Sequence, residues 1–481
     1  MRPPHRRLPG GRRSPLPPIT PRVFGAVGRA TGLLLGSLAG FVVLPAGVAA
    51  HALSRSFESR LPLAVYLAGA AAAVALSFAF VLLRDRPAPS PAAANDGRGF
   101  QVPGAVRFGL RAIGLAGWTW IVVQGVLGGD TDAEVTRLFT WVYGWIGVAI
   151  VSAFAFPVWR WLDPFSTLFD LGARLARALR IGGFTPAPYP AALGRWPAAA
   201  GFAAVVWLEL VVAGGGSRTL ALVITGYSVF TLAMMAQFGR RAWADQGEIF
   251  GVWFRLLGRL APIAADDGGP DGLLRRRPFA SGLREAGWSV ADLVMIGLGT
   301  GSILFDGLSQ TQVWVDAFGL PAALPQTLLA VGFMGIVIGA ALGVARFVGV
   351  AATGAGFLPI AIGYLVAHYL PYLLTEGQRL VVALSDPLQQ GADIFGTASF
   401  EPSAAWLPPA LVWAVQLSAV VGGHMIGAWS GHMVAAGAAA ADGGYSRREA
   451  RIRQVPLAGV MVALTTLTLW SLGQALFIRP S

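Results

Sequence analysis

The chain has 481 residues, of which 55% are hydrophobic and only 12% charged. A soluble domain carries about 25% charge, so this composition excludes a soluble globular protein and predicts an all-α, polytopic membrane protein. The net charge of +12 rests on 36 Arg. The absence of Cys and Lys from the sequence excludes disulfides, thiolate metal sites, a Walker lysine and a Schiff-base lysine.

In chain order, the first 22 residues are rich in Pro and Arg, and an apolar stretch follows from Val23 to Ala50. A basic start, an apolar middle and the ending Val48-Ala49-Ala50 fit a secretory signal peptide, with an uncleaved first transmembrane helix as the alternative. Cleavage after Ala50 would make His51 the new N-terminus. Residues 51–481 then read as one helical membrane domain. Ten spans are expected near 61–83, 107–127, 139–159, 197–213, 219–239, 287–305, 325–345, 353–374, 409–437 and 456–478.

Loop charges orient these spans. With the N-terminus inside, inner segments collect 30 Arg and outer segments six: Arg55, Arg60, Arg137, Arg218, Arg379 and Arg479. That bias is what the positive-inside rule requires, and it puts the C-terminus outside. The basic charge is therefore read as topology and contact with anionic lipids at the inner face, not as nucleic-acid binding. Residues 163–180 and 247–262 set apolar side chains against Arg at helical spacing, which suits amphipathic helices lying flat at the cytoplasmic interface. The segment 377–395 falls outside as a cap. Residues 85–97 and the Gly/Asp-rich 263–272 read as linkers.

The usual catalytic motifs are absent from the sequence, and Gly297-Leu298-Gly299-Thr300-Gly301 follows no strand, so it reads as a helix-packing feature. Polar groups at membrane depth carry the chemistry, because each is costly there and needs a partner. Gly423, Gly427 and Gly431 form a small-residue ridge that lets another helix approach. His424 and His432 lie beside it, about 12 Å apart along the axis, so one helix cannot offer both to a single metal ion. They serve separate sites, a polar pathway, or hydrogen bonds to neighbouring helices. Met425 and Met433 add thioethers of the kind that suit copper.

At the outer face, His368 ends one span, Asp306 closes another, and Asp386 and Asp393 lie in the following loop, with His51 on the same side. Imidazole and carboxylate together suit zinc or another divalent ion, and such a site activates water. The bland alternative is a solvated acidic loop. His368 and Asp306 are expected to share a site, as an imidazole and the carboxylate that orients it. Glu209 and Asp292 are further acids at membrane depth, with Arg218 and Arg284 as expected partners.

Several blocks of sequence resemble one family. They are Phe305-Asp306-Gly307-Leu308-Ser309 before Thr311 and Trp314, His368-Tyr369, Glu376-Gly377-Gln378, Ser385-Asp386-Pro387 and Asp393-Ile394-Phe395-Gly396. Leu193-Gly194-Arg195-Trp196-Pro197, Trp207-Leu208-Glu209-Leu210 and the Gly423-His424 span with His432 belong to the same pattern. Together they resemble the fenitrothion hydrolase family of polytopic bacterial membrane proteins, over residues 51–478. Two positions depart from the family pattern: Ala52 stands where Gly follows the first His, and Met433-Val434 where Asp-Arg often follows the last. The resemblance implies a membrane-bound organophosphate hydrolase acting on a small-molecule substrate. Asp306, His368 and Asp386 are then the expected catalytic residues, and His51, His368, His424 and His432 the expected ligands of a divalent metal such as zinc or copper. A transporter or metal-handling protein built on the intramembrane histidines is the alternative, and a structural subunit of a membrane complex a third.

Overall fold

The computed structural model describes residues 99–129, 135–181, 185–212, 217–265, 272–442 and 452–474, with the single positions 69, 72, 76 and 449. The expected signal peptide or first span, His51, nearly all of the span at 61–83 and the C-terminal end lie outside the described residues.

The described part is a helical bundle. Eight of its helices are long and apolar enough to cross a membrane. They are α1 (Gly104–Leu127), α2 (Val135–Phe154), α5 (Ser217–Phe238), α8 (Val290–Ser309), α9 (Ala323–Val348), α10 (Val350–Glu376), α12 (Pro409–Asp442) and α13 (Val455–Leu472). Between them lie α3 (Pro164–Ala178), α4 (Trp196–Leu210), α6 (Arg240–Gln246), α7 (Ile249–Leu257) and α11 (Leu380–Ser385). The expected span at 197–213 is the helix α4, whose 15 residues fall short of the roughly 20 that a full crossing needs.

Helix ends follow local chemistry. Ser289 caps α8 with a reciprocal pair of bonds: its hydroxyl accepts from the Asp292 amide, and Asp292 Oδ2 accepts from the Ser289 amide. Asp163 and Glu248 cap α3 and α7, their carboxylates accepting from first-turn amides. Pro sits in the first turn of α3, α4 and α13, where no amide proton is missed. Within α2 the residues Leu138–Gly147 wind as a π-helix, and the Val148 amide donates five residues back to the Tyr143 carbonyl.

α10 and α12 share the most extensive helix–helix contact. They run antiparallel, with Gly423 against Pro359 and Gly363, Gly427 against Gly356, and Gly431 against Ala352. A Cβ on Gly427 would overlap the Gly356 carbonyl oxygen, so the ridge read from the sequence is a backbone-to-backbone contact.

Helices α4 and α8 lie side by side and parallel. At one end Arg195 pairs with Asp292 at 2.7 Å. Fourteen residues later on each helix, Glu209 and Asp306 meet at the other end, so the two pairs are about 21 Å apart along the axis. The partner expected for Asp292 was Arg284. The structure gives it Arg195, because the parallel packing brings the two helix starts together, while the Arg284 guanidinium lies over the Trp429 ring.

Two sequence expectations need correction. The helix in 247–262 does not lay an apolar face on lipid: Val252, Trp253, Phe254, Leu256 and Leu257 are buried in the bundle, with Trp253 packed on Phe202 at 4.6 Å between ring centroids. The helix in 163–180 does keep an exposed apolar edge at Leu171, Leu175 and Leu179. The linker at 263–272 also begins as a strand. Ile263–Ala265 (β2) and Gly99–Gln101 (β1) both pair antiparallel with Leu273–Arg276 (β3), giving the order β1-β3-β2.

The cap at 377–398 is folded onto the ends of α1 and α10. Trp120 Nε1 donates to the Pro387 carbonyl at 2.8 Å, and the Gly129 amide to that of Leu388 at 2.9 Å. Gln124 Nε2 donates to Gln389 Oε1 at 2.8 Å.

Candidate functional site

The site lies where α4, α8, α10 and α13 end together. Asp306 comes from the last turn of α8, His368 and Tyr369 from the C-terminal half of α10, and Glu209 from the last turn of α4. Gly307 makes the approach feasible. A Cβ there would lie 2.9 Å from Tyr364 Oη, 3.2 Å from Ser471 Oγ and 3.4 Å from His368 Cε1, so any other residue would displace these side chains within the site.

Asp306 is the hub. His368 Nε2 donates to its Oδ2 at 2.9 Å, and Gln310 Nε2, one turn further along the chain, donates to its Oδ1 at 2.7 Å. Tyr369 Oη lies 3.2 Å from Asp306 Oδ2 and 3.3 Å from Glu209 Oε1. One phenol has one proton. If it donates to Asp306, its contact with Glu209 needs a proton on the Glu209 side. The arrangement that satisfies every donor therefore has Asp306 ionised and Glu209 protonated.

A carboxylate accepting from Nε2 fixes the histidine tautomer and leaves the Nδ1 lone pair as a base. Among the described residues no hydrogen-bond partner of His368 Nδ1 is found. The pair is only partly covered, with 17% of the His368 side chain and 22% of the Asp306 side chain exposed. Tyr369 and Tyr364 behind it are buried. The arrangement can hold a water molecule at Nδ1, take its proton and stabilise the resulting imidazolium through Asp306.

The other expected site residues go elsewhere. Asp386 belongs to the cap: it accepts from the Gln390 and Gly391 amides at 2.9 and 2.6 Å. Desolvation is the largest single influence and pushes its pKa up, but the backbone donors together outweigh this and hold it below the ordinary carboxylate value. It has no hydrogen bond to His368 or Asp306 among the described residues. His424 is buried, with Nδ1 donating one turn back to the Val420 carbonyl at 2.8 Å. His432 Nδ1 donates to Gln454 Oε1 at 2.7 Å, at the start of α13.

His368, His424 and His432 thus have three separate partner sets. Among the described residues no group of three or more His, Asp or Glu side chains is placed to hold a metal ion. His368, His424 and His432, each expected as a metal ligand, therefore do not converge on one zinc or copper ion among the described residues, because each imidazole is engaged at a different level of the bundle. His51 lies outside the described residues.

Sequence reasoning placed the His368–Asp306 pair but missed Gln310, Tyr364 and Ser471, and gave Glu209 the wrong partner. Gln310 had a signal, since it stands four residues after Asp306 at helical spacing. Tyr364 and Ser471 had none, because their proximity arises from packing around Gly307. Glu209 meets Tyr369 rather than Arg218 because α4 is parallel to α8.

The fold and site define a helical membrane bundle with a carboxylate–imidazole pair at one end. Comparison with family models, with curated proteins and with solved structures finds no match.

Proposed function

We propose that this chain is an integral membrane hydrolase in which His368, oriented by Asp306, activates water against a phosphotriester or related ester. The observation that carries this reading is the 2.9 Å bond from His368 Nε2 to Asp306 Oδ2, which leaves Nδ1 as the base. In the proposed reaction Nδ1 takes a proton from water while the water oxygen bonds to phosphorus. The bond from phosphorus to the leaving oxygen breaks, the electron pair leaves with that oxygen, and the imidazolium returns the proton to it. Tyr369 holds Asp306 in place and shares its charge. No step runs through a metal ion.

The same proposal sets the chain in a bacterial inner membrane with ten spans after a signal peptide or eleventh span. The Arg195 end then faces the cytoplasm and anionic lipids, and the His368 end and the C-terminus face outward. The distribution of 30 inner against six outer Arg supports this orientation.

The test is hydrolysis of a chromogenic phosphotriester by the full-length protein in proteoliposomes. Wild type should release the leaving group above the lipid background, and His368→Gln should lower kcat by about 10²–10⁴-fold, the usual contribution of a general base. Wild-type protein no faster than empty liposomes would overturn the reading. One observation favours a second reading, proton-coupled transport: the Tyr369 hydroxyl joins two carboxylates on different helices, as a proton relay requires. That reading gains if Glu209→Gln abolishes proton uptake driven by an imposed substrate gradient while hydrolysis is absent.

A further inference from the structure

At the opposite end of the bundle, beside the Arg195–Asp292 pair, lies a cavity of about 630 Å³. Nine arginines and three acids line it, drawn from α1, from residues 160–163, from the start of α4, from α6, α7 and the turn after α7, and from β3 and the turn after it. The three acids are already committed. Asp163 accepts the Phe165 and Ser166 amides of the helix it caps. Asp245 pairs with Arg255. Glu285 is shared by Arg275 and Arg277, at 2.9 and 3.0 Å. Arg241 is exposed, and no partner is found for it among the described residues. Asp170, 3.5 Å from Arg111 and 3.2 Å from Arg240, and Asp292 on Arg195 add two counter-charges, so nine arginines face five acids. The cavity keeps a net positive charge in a concave space, which focuses the field on whatever enters.

Part of this wall is rigid. Arg277 is buried, donating from Nε to the Ala261 carbonyl and from a terminal nitrogen to that of Gly258. Arg259 lies 4.1 Å over the Trp288 ring and donates to the carbonyls of Glu285 and Ala286, both at 3.0 Å. Desolvation first, then the nearby Arg195 and Arg277 charges, pull the Arg259 pKa down to about 10 despite its acidic neighbours. Holding nine guanidinium groups around one cavity with fewer acids than arginines is costly, and an anion of high charge density relieves it. Guanidinium forks match phosphate oxygens in pairs, and the volume is that of a small-ligand site.

We propose that this cavity binds a phosphate-bearing anion, either a soluble phosphorylated molecule or the headgroup of an anionic phospholipid. A single carboxylate would neutralise one arginine, whereas a phosphate group with several oxygens engages two or more at once. The proposal is independent of the hydrolase reading, because it concerns the other end of the bundle.

The experiment uses the full-length protein in nanodiscs and measures thermal shift and calorimetric binding. In one arm pyrophosphate is added to phosphatidylcholine discs, with chloride at equal ionic strength as control. In the other arm the discs contain phosphatidylglycerol and are measured first without and then with pyrophosphate. A shift with pyrophosphate in phosphatidylcholine supports a soluble ligand. A shift with phosphatidylglycerol to which pyrophosphate adds nothing supports the lipid headgroup. In either case Arg241→Gln with Arg255→Gln should weaken binding by about tenfold or more, from the loss of charge-assisted hydrogen bonds. Asp245→Asn removes a competing acid and should tighten binding, a result that misfolding cannot produce. No shift in either arm beyond the chloride control, or wild-type affinity in all these variants, would overturn the proposal.

Discussion

Glu209 and Asp306, on two parallel helices, share the hydroxyl of Tyr369, which lies 3.3 Å from one carboxylate and 3.2 Å from the other. The phenol is buried and is placed between two acids that would otherwise repel each other. Tyr369→Phe should therefore lower thermal stability in detergent by about 1–3 kcal/mol, the cost of leaving buried polar groups without a partner. Glu209→Gln supplies an amide donor in place of a shared proton and should cost less. Thermal unfolding of the two variants side by side checks the order, and a larger loss for Glu209→Gln would refute the shared-proton arrangement.

The His368–Asp306 bond makes a kinetic prediction within the proposed hydrolase. Asp306→Asn keeps the size of the side chain but can offer an amide proton to the imidazole and favour the wrong tautomer. It should lower kcat by a factor similar to His368→Gln and leave KM nearly unchanged. The double variant should be no slower than either single one, since the two residues act as a unit. Additive losses would show that they work separately.

The α10–α12 contact predicts a sharp positional contrast. Gly427→Ala forces a methyl group into the Gly356 carbonyl and should destabilise by roughly 1–3 kcal/mol, as overpacking does. Gly422→Ala, five residues earlier on the same helix, meets nothing within 4 Å. It should be neutral or stabilising by up to about 1 kcal/mol through helix propensity. Equal melting temperatures for the two variants in detergent would rule out close packing at Gly427.

Removing Arg195 should be more harmful than its partial exposure suggests. Its partner Asp292 is fully buried, and truncating one member of a buried ion pair leaves a charge without compensation, at a cost of roughly 3 kcal/mol or more. Arg195→Met should show this loss, and Arg195→Met with Asp292→Leu should recover part of it. The Asp292 change also removes the capping box of α8, so recovery should be incomplete. A double variant less stable than the single one by the full cost of a second mutation would contradict the pairing.

Glu248 should make stability depend on pH. Burial first, and then the Asp163 charge, push its carboxyl pKa up to about 7. The folded protein therefore keeps this proton over an interval in which the unfolded chain has already lost it. Stability from this group is full below the ordinary carboxylate range and declines as the pH rises toward 7. Melting temperature measured from about pH 4 to about pH 8 should carry that decline in wild type, and Glu248→Gln should flatten it. An unchanged slope would assign the pH dependence to another group.

What the sequence determined by itself was whatever is carried by local pattern. Apolar runs placed the long helices, because crossing a bilayer is a matter of length and hydropathy along one segment. The spacing of Gly423, Gly427 and Gly431 announced a face for close packing, because helical geometry alone puts residues four apart on one side. His368 and Asp306 stood out because polar groups at helix ends within an apolar chain need partners. Tertiary structure decided which partners. Arg195 rather than Arg284 meets Asp292, and Tyr369 rather than Arg218 meets Glu209, because α4 lies parallel to α8 with ends matched over fourteen residues. The apolar face of α7 is covered by protein rather than lipid, and hydrophobic periodicity reads the same for either surrounding. The strands at 99–101, 263–265 and 273–276 exist only as a set, because each is too short to be stable without its neighbours. His424 and His432 share a helix with no common partner, because the contacts that occupy them come from the helix backbone and from α13.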